Sequence, residues 1–129
     1  MALLLFRSRA LVAPHSMAEG MIWLQSRHNN IQNDVTGHLH REEGWFVHAV
    51  EGGVAELDRL VLRLRGDSRH SEMKALIRND GDAPRRFAQW SMGFSDPSCG
   101  VVFGPSIGSA SGDDLLVFLQ DVAAHEPAA

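Results

Sequence analysis

Two short segments hold the residues of this chain that are best suited to chemistry. Asn29 and Asn30 are adjacent amides near the predicted end of a helix, and His48 lies in a predicted strand. Amide groups and a neutral imidazole each offer both donors and acceptors of hydrogen bonds. Such groups suit a flat heteroaromatic ligand whose edges need hydrogen-bond partners. The ordinary alternatives are that an asparagine caps the helix and that the histidine packs in the core.

The elements that position these residues follow from capping and hydrophobic patterns. Ser16 and Glu19 have the spacing of a capping box, which predicts a helix from Ser16 to about Asn29. The residues expected on its apolar side are Met17, Met21, Ile22 and Leu24. The predicted strands are 2–8, 36–41, 45–50, 73–78 and 86–92, and the other predicted helices are 54–65 and 113–124.

This order of elements predicts an α+β fold. It matches a ferredoxin-like βαββαββ arrangement, in which two helices cover one face of a mixed sheet. The additional C-terminal helix is apolar nearly all round, so we expect it to lie on the other sheet face or to join a dimer interface. Residues 1–94 then form the domain, and residues 95–129 form a linker and a helix that packs on the sheet or on a dimer partner.

Strand alternation predicts which side chains share a face. Phe46 and His48 point to one face together with Leu39, whereas His38 and His40 point to the other. This separation disfavours a zinc site built from the three histidines. It favours a slot between the two helices and the sheet. The residues predicted around the slot are Leu39, Phe46, His48 and Met92 in its lining, Asn29 and Asn30 at its rim, and Arg69 and His70 on its far side.

Composition limits the classes of function. The 129 residues suit one domain, and the net charge of -4 argues against a general nucleic-acid-binding surface. No stretch approaches the roughly 20 apolar residues of a membrane helix. Cys99 is the only cysteine, which favours a reducing cytoplasm. No Ser-His-Asp order, phosphate loop or carboxylate pair indicates an enzyme.

Six segments, taken in order, carry a family resemblance. The chain resembles the BLUF family, whose domains sense blue light with a bound flavin. The resemblance extends from about Ala2 to Phe94. The matching segments are 6–8, 29–30, 35–37, 46–52, 67–70 and 86–92.

The resemblance implies a flavin ring that lies between two helices over the sheet. The implied cofactor is FAD, with FMN or a lost cofactor as alternatives. Asn30, with Asn29 beside it, matches the asparagine that hydrogen-bonds the polar edge of the flavin. Arg69 and His70 match residues at its carbonyl edge or phosphate side, where arginine suits phosphate. The other implied contacts are Phe6, Ile22, Leu39, Phe46, His48 and Met92.

Two positions depart from the family pattern. The family's photochemistry uses a tyrosine that reduces the excited flavin and a glutamine that rearranges its hydrogen bonds. Phe6 and His48 occupy those positions, and the chain contains no tyrosine. The resemblance therefore implies a flavin-binding sensor, not an enzyme, whose usual light response is absent or altered.

The expected output runs through the sheet and the C-terminal helix to an unknown protein partner or a second copy in a homo-oligomer. The alternative is a cofactor-free BLUF-like module for protein interaction or dimerisation. A third hypothesis, a small hydrolase of the acylphosphatase kind, needs an arginine and an asparagine aimed at one anion.

Overall fold

The computed structural model describes residues 1–88 and 92–125. In these ranges the strands are β1 (Ala2–Ala10), β2 (Thr36–Glu42), β3 (Trp45–Gly52), β4 (His70–Asn79) and β5 (Gly93–Ser95). The α-helices are α1 (Met17–Gln32), α2 (Val54–Arg65) and α3 (Gly112–His125), and two short 3₁₀ helices, Pro97–Cys99 and Pro105–Gly108, lie between β5 and α3.

The sheet has the strand order β4-β1-β3-β2-β5. All neighbours are antiparallel except β2 and β5, which are parallel. Because side chains alternate along a strand, β1 supplies two cores. Leu4 and Phe6 belong to one core, and Leu3 and Leu5 belong to the other. The mixed sheet and its helices confirm the predicted ferredoxin-like α+β class.

The helices divide between the two faces of the sheet. Leu57 and Leu60 of α2 pack in the core that contains Phe6. Leu115 and Leu119 of α3 pack in the opposite core. The C-terminal helix therefore lies on the other sheet face, which confirms the first of the two predicted positions. Among the described residues, no helix combines the length and the apolar character that crossing a membrane requires.

The β2–β3 hairpin sets the register of the residues that matter most. Glu43 and Gly44 connect the strands, and both have positive φ angles, 53° and 76°. Two residues with positive φ form the type I′ turn that matches the twist of a hairpin. This turn places Leu39 opposite His48, and β1 places Phe6 opposite His48 on the other side.

Helix α1 begins as predicted and ends three residues later than predicted. The Ser16 hydroxyl accepts a hydrogen bond from the Glu19 amide at 3.2 Å, as a capping residue should. Asn33 is the C-cap, and its amide donates to the carbonyl oxygens of Asn29 and Asn30. The adjacent asparagines therefore lie inside the last turn, which corrects the alternative in which one of them caps the helix.

The predicted apolar side of α1 is wrong for three of its four residues. Ile22 packs against the core, but the other three are exposed: Met17, Met21 and Leu24. The helix instead buries Glu19, whose carboxylate lies 2.7 Å from the Arg41 guanidinium of β2. A buried charge needs its partner, so this ion pair sets the rotation of α1 against the sheet.

The predicted fifth strand is also wrong. The described part of segment 86–92 contains bends and a turn, and the strand lies at β5, further along the chain. The Glu51 carboxylate accepts the backbone amides of Arg86 and Phe87 at 2.8–2.9 Å. These amides are consequently not free for a strand ladder. Residues 89–91, including Trp90, lie outside the described residues.

The Glu51 carboxylate should be a measurable source of stability. Its oxygens accept backbone donors while the side chain is buried, and an amide in its place would turn a donor toward an N–H group. We expect Glu51→Gln to lower the free energy of unfolding by about 1–3 kcal/mol in urea denaturation. The exposed Glu72→Gln is the matched control and should change it by less than about 0.5 kcal/mol. Equal effects of the two variants would contradict this role.

Candidate functional site

A cleft lies between α1, α2 and the sheet face that carries Phe6. Its empty space is about 330 Å³ with the open mouth included, at the lower end of the range for small-molecule sites. The wall is mostly apolar where it is formed by the sheet. The residues that line the cleft are Phe6, Ser8, Ile22, Ser26, Leu39, Phe46, His48, Leu64, Asp67, Arg69 and His70.

Seven of the ten residues predicted as ligand contacts lie in this wall, five of them predicted around the slot and two implied by the family resemblance. The seven that do are Phe6, Ile22, Leu39, Phe46, His48, Arg69 and His70. Asn29, Asn30 and Met92 are not part of it. Asn30 and Met92 are buried, and the Met92 carbonyl oxygen accepts a hydrogen bond from the Trp23 indole at 3.0 Å. The contacts of these three residues with a ligand stay predictions.

Sequence reasoning missed four residues of the wall: Ser8, Ser26, Leu64 and Asp67. Strand alternation would have found Ser8, because it lies two residues from Phe6 on β1 and shares its face. Helix periodicity would have found Ser26, which lies one turn after Ile22 on α1. Leu64 lies on the face of α2 that the helical repeat predicts to be apolar. Asp67 follows the end of α2, and no local pattern predicts its position in the wall.

His48 is a buried neutral imidazole in the wall of the cleft. Its ring lies 4.9 Å from the Phe6 ring at a tilt of 58°. Burial, with smaller contributions from His38 and His70, lowers the pKa of His48 to about 3. The histidine therefore carries no charge at neutral pH, and one ring nitrogen is a donor while the other is an acceptor.

Two buried polar atoms of the wall have no hydrogen-bond partner among the described residues. They are Nε2 of His48 and Oγ of Ser8. A buried polar atom without a partner costs free energy, so such atoms are uncommon unless a ligand or water satisfies them. The arrangement suits a ligand that brings a donor and an acceptor along one edge.

The far side of the cleft holds a closed ion pair. Nε and Nη2 of Arg69 donate to the Asp67 carboxylate at 2.6–3.1 Å. Hydrogen bonding to Arg69 lowers the pKa of Asp67 against the opposing effect of burial, and the same pairing raises the pKa of Arg69. The arginine was predicted to meet a carbonyl or phosphate group of a ligand. Here its fork is engaged by a carboxylate of the chain itself.

The three strand histidines separate as alternation predicts. His48 lies in the cleft wall, whereas His38 and His40 are buried on the opposite face, where His40 contacts Phe118 of α3. Within the ranges 1–88 and 92–125, no group of three or more histidine, cysteine or acidic side chains is placed to hold a metal ion.

Comparison with known families then identifies the family of the domain. The family model for BLUF, sensors of blue-light using FAD, matches residues 1–93. The chain belongs to the BLUF family. The matched part contains β1 to β4, α1 and α2, and so contains all the residues of the cleft wall. This BLUF domain is of the flavin-binding type that senses blue light.

Solved structures agree with this assignment. BlrB, described as a BLUF protein in its dark state, is 27% identical, with a TM-score of 0.84 over 97% of this chain and 96% of that chain. BlsA in a photo-activated state is 21% identical, with a TM-score of 0.78 over 97% and 96% of the two chains.

A bacterial light-regulated adenylyl cyclase is 22% identical, with a TM-score of 0.69 over 96% of this chain but 34% of that chain. At these identities BlsA and the cyclase show the fold alone. A search of the curated proteins gives no match.

The buried histidines should make the fold acid-sensitive. The folded-state pKa values of His38 (about 4), His40 and His48 (about 3) lie below the ordinary value of 6.5. The unfolded state therefore binds more protons below pH 6.5, and stability falls as the pH falls. For His38 and His48 we expect a loss of about 1 kcal/mol per pH unit each between pH 6.5 and 5, measured by urea denaturation, and His40 should add a loss of the same sign.

Single substitutions should separate this effect from ordinary surface titration. His48→Gln should make the free energy of unfolding depend less steeply on pH, by the amount that one buried histidine contributes. The exposed His125→Gln is the control and should leave it unchanged. A stability that is constant between pH 7 and 5 would show that these histidines are not buried as neutral rings.

Proposed function

We propose that this BLUF domain binds a flavin in the cleft and that its usual response to blue light is absent or altered, because Phe6 and His48 take the places of the family's tyrosine and glutamine. The observation that carries the proposal is the pair of unpartnered polar atoms, His48 Nε2 and Ser8 Oγ, in a buried wall. A flavin ring has an edge with both hydrogen-bond donors and acceptors. Such an edge can supply the partners that these two atoms of the wall lack. The chemistry that a flavin supplies when bound is the absorption of blue light.

Phe6 and His48 set the properties of the proposed sensor. A phenyl ring has no phenolic hydrogen to donate and no proton to lose, so Phe6 contributes only apolar contact. His48 stays neutral and can exchange its donor and acceptor roles only by changing tautomer. A glutamine could exchange them by rotating its amide. We therefore infer that the hydrogen bonds at position 48 rearrange less readily than those of an amide.

The fit of a flavin is good in chemistry and tight in space. The empty space of about 330 Å³ includes the open mouth, so the enclosed part of the cleft is smaller than that. The wall must therefore open for a three-ring system to enter. Opening of the Asp67–Arg69 pair would also release a guanidinium fork, which is the group that best binds phosphate.

Each side of the wall has a proposed role toward the flavin. Ser8 and His48 would meet its polar edge, and Arg69 and His70 would lie at its carbonyl or phosphate side. Asn29 and Asn30 remain proposed partners for the polar edge. The apolar contacts would come from Phe6, Ile22, Leu39, Phe46 and Met92. FAD is the proposed cofactor, and FMN is the alternative.

The proposed output leaves through the C-terminal part of the chain. We divide the chain into a BLUF domain, 1–94, and a C-terminal linker and helix, 95–129, and the packing of α3 on the sheet supports a role in signalling. We propose a downstream protein or a second copy of the chain as the partner, no catalytic activity, and the cytoplasm as the location.

Flavin binding can be tested with a substitution that fills the cleft. Ser26 lines the cleft from α1 and is only half-buried, so Ser26→Trp should block the ring while leaving the core intact. We expect purified protein to bind added FAD or FMN and to quench its fluorescence. Ser26→Trp should weaken that binding at least tenfold, and the exposed neighbour Gln25→Trp should leave it unchanged.

If the parent protein binds neither flavin, the proposal of a flavin cofactor is wrong. That result would favour the second function, a cofactor-free interaction module. The narrow cleft and the self-paired Arg69 are the observations in its favour. In that case the Ser26→Trp variant should be as stable as the parent or more stable, because the tryptophan would fill empty space.

The absent light response can be tested by restoring the missing pair. The double variant Phe6→Tyr with His48→Gln, loaded with flavin, should show a red-shifted flavin absorbance under blue light that decays in the dark. The parent protein should show no such shift, since it has no tyrosine. The single variant His48→Gln is the matched control and should also be silent. A shift of equal size in the parent would contradict the role assigned to Phe6.

A further inference from the structure

The sheet face opposite the cleft contains a buried chain of polar side chains that flavin binding does not use. His38 and His40 of β2 both contact Ser95 of β5, with His38 Nε2 at 2.8 Å and His40 Nδ1 at 2.7 Å from the Ser95 hydroxyl. His40 Nε2 lies 2.9 Å from the Glu42 carboxylate. Both histidine rings are fully buried.

Glu42 extends this chain to the segment that leads to α3. Its two carboxylate oxygens accept the backbone amides of Phe103 and Gly104, each at 2.8 Å. Phe103 then packs edge-on against Phe118 of α3 at 5.2 Å, and the His40 ring packs against the same Phe118 at 4.9 Å. One connected set of contacts therefore joins β2, β5, residues 103–104 and α3.

The carboxylate dictates the direction of every hydrogen bond in the chain. Backbone amides and the adjacent imidazole hold the pKa of Glu42 low against the effect of its burial, so the carboxylate is ionised and only accepts. His40 Nε2 must then carry a hydrogen, and in a neutral ring Nδ1 must be bare. Ser95 consequently donates its single hydrogen to His40, and it can only accept from Nε2–H of His38.

A single proton would reverse half of this chain. When His40 gains a proton, its Nδ1 becomes a donor and Ser95 must accept from it. The Ser95 hydrogen then points to His38 Nε2, and His38 must shift its own proton to Nδ1. If His38 kept its Nε2–H, the Ser95 oxygen would accept from both rings and the Ser95 hydrogen would lose its acceptor in this chain of contacts, so the protonation of His40 favours the change of tautomer of His38 through one hydroxyl.

The charged groups around the chain set the proton affinity of His40. Glu42 and Asp96 favour the charged form, and Asp96 itself faces His15 at 3.5 Å. His38 disfavours an additional charge on His40, as does burial of the ring. Helix α3 contacts His40 through Phe118, which does not titrate. Residues 103–104 contribute only backbone amides, which donate to Glu42.

We propose that Glu42, His40, Ser95 and His38 form a proton-responsive latch that holds residues 103–104 and α3 against the sheet and loosens them on proton uptake. The latch does not rest on flavin binding, since its residues lie on the other face of the sheet. It does bear on the cleft through Leu39, which lies between His38 and His40 on β2 and lines the cleft. The strand that carries the latch is therefore also a wall of the cleft.

The size of the effect follows from the histidines. If opening returns one buried ring to the ordinary pKa of 6.5, the opening equilibrium rises about tenfold between pH 7.5 and 5.5. The protection factors of α3 amides in hydrogen exchange should fall by that factor relative to those of α2, which lies on the other face. Protection factors, unlike raw exchange rates, already correct for the intrinsic effect of pH on amide exchange.

Nitrogen-15 NMR of the histidine rings in the full chain, without flavin, tests the latch directly. At pH 7.5 both His40 and His38 should be Nε2–H tautomers. On acidification, protonation of His40 and the change of His38 to its Nδ1–H form should share one midpoint below pH 6.5, while the protection of α3 should already fall between pH 7.5 and 5.5 by the factor given above. His125→Gln, an exposed change on α3 itself, should leave all three unchanged.

A matched pair of substitutions isolates the hydroxyl. Ser95→Thr keeps the hydroxyl and should keep the coupling, whereas Ser95→Ala removes it, so that His38 no longer changes tautomer when His40 titrates. An Nδ1–H tautomer of His40 at pH 7.5, or a His38 tautomer in the parent that does not follow His40, would overturn the proposal. So would equal losses of protection in α2 and α3. The parent measurements decide the matter even if Ser95→Ala fails to fold.

Discussion

Alternation along β2 and β3 is the constraint from which the rest of the molecule follows. The I′ turn at Glu43–Gly44 sets one register, and that register decides which side chains meet on each face. Leu39 and His48 fall on the cleft side, while His38 and His40 fall on the α3 side. A shift of one residue would exchange the two sets. Both cores, the cleft and the buried polar chain depend on this register.

The cleft wall pairs an apolar ring with a buried polar ring. Phe6 and His48 pack against each other, with their ring centroids 4.9 Å apart. Phe6 is buried in the cleft wall and offers no hydrogen-bonding group. The imidazole is too deeply buried to accept a proton at neutral pH, so charge does not vary at this position. What remains is a neutral polar edge that a ligand can complete.

The segment before α3 is tied to the sheet from two strands. Glu42 of β2 accepts the amides of residues 103–104, and Arg7 of β1 donates to the carbonyl oxygens of Ile107 and Ala110. Phe6 lies in the cleft wall, and the next residue of β1, Arg7, faces the other side of the sheet. Two of the strands that line the cleft, β1 and β2, thus also hold the segment that leads to α3. The backbones of these strands therefore connect the two faces of the sheet, although no single side chain of β1 or β2 contacts both faces.

Local pattern was sufficient for β2, β3 and α2, because a hairpin turn, strict alternation and a 3.6-residue repeat lie within a few residues of one another. It was also sufficient for the side of the sheet that each strand residue faces, and the family resemblance added Phe6 and Ile22 to the site.

Tertiary structure decided what depends on distant partners. Glu19 reaches Arg41 and turns the predicted apolar side of α1 outward, and Glu51 takes the amides of segment 86–87 out of any sheet. Asp67 closes on Arg69, and Ser95 bridges two histidines that are more than fifty residues away in the chain. Buried charges and hydrogen-bonding groups must find partners wherever the fold supplies them, and a local pattern contains no information about those partners.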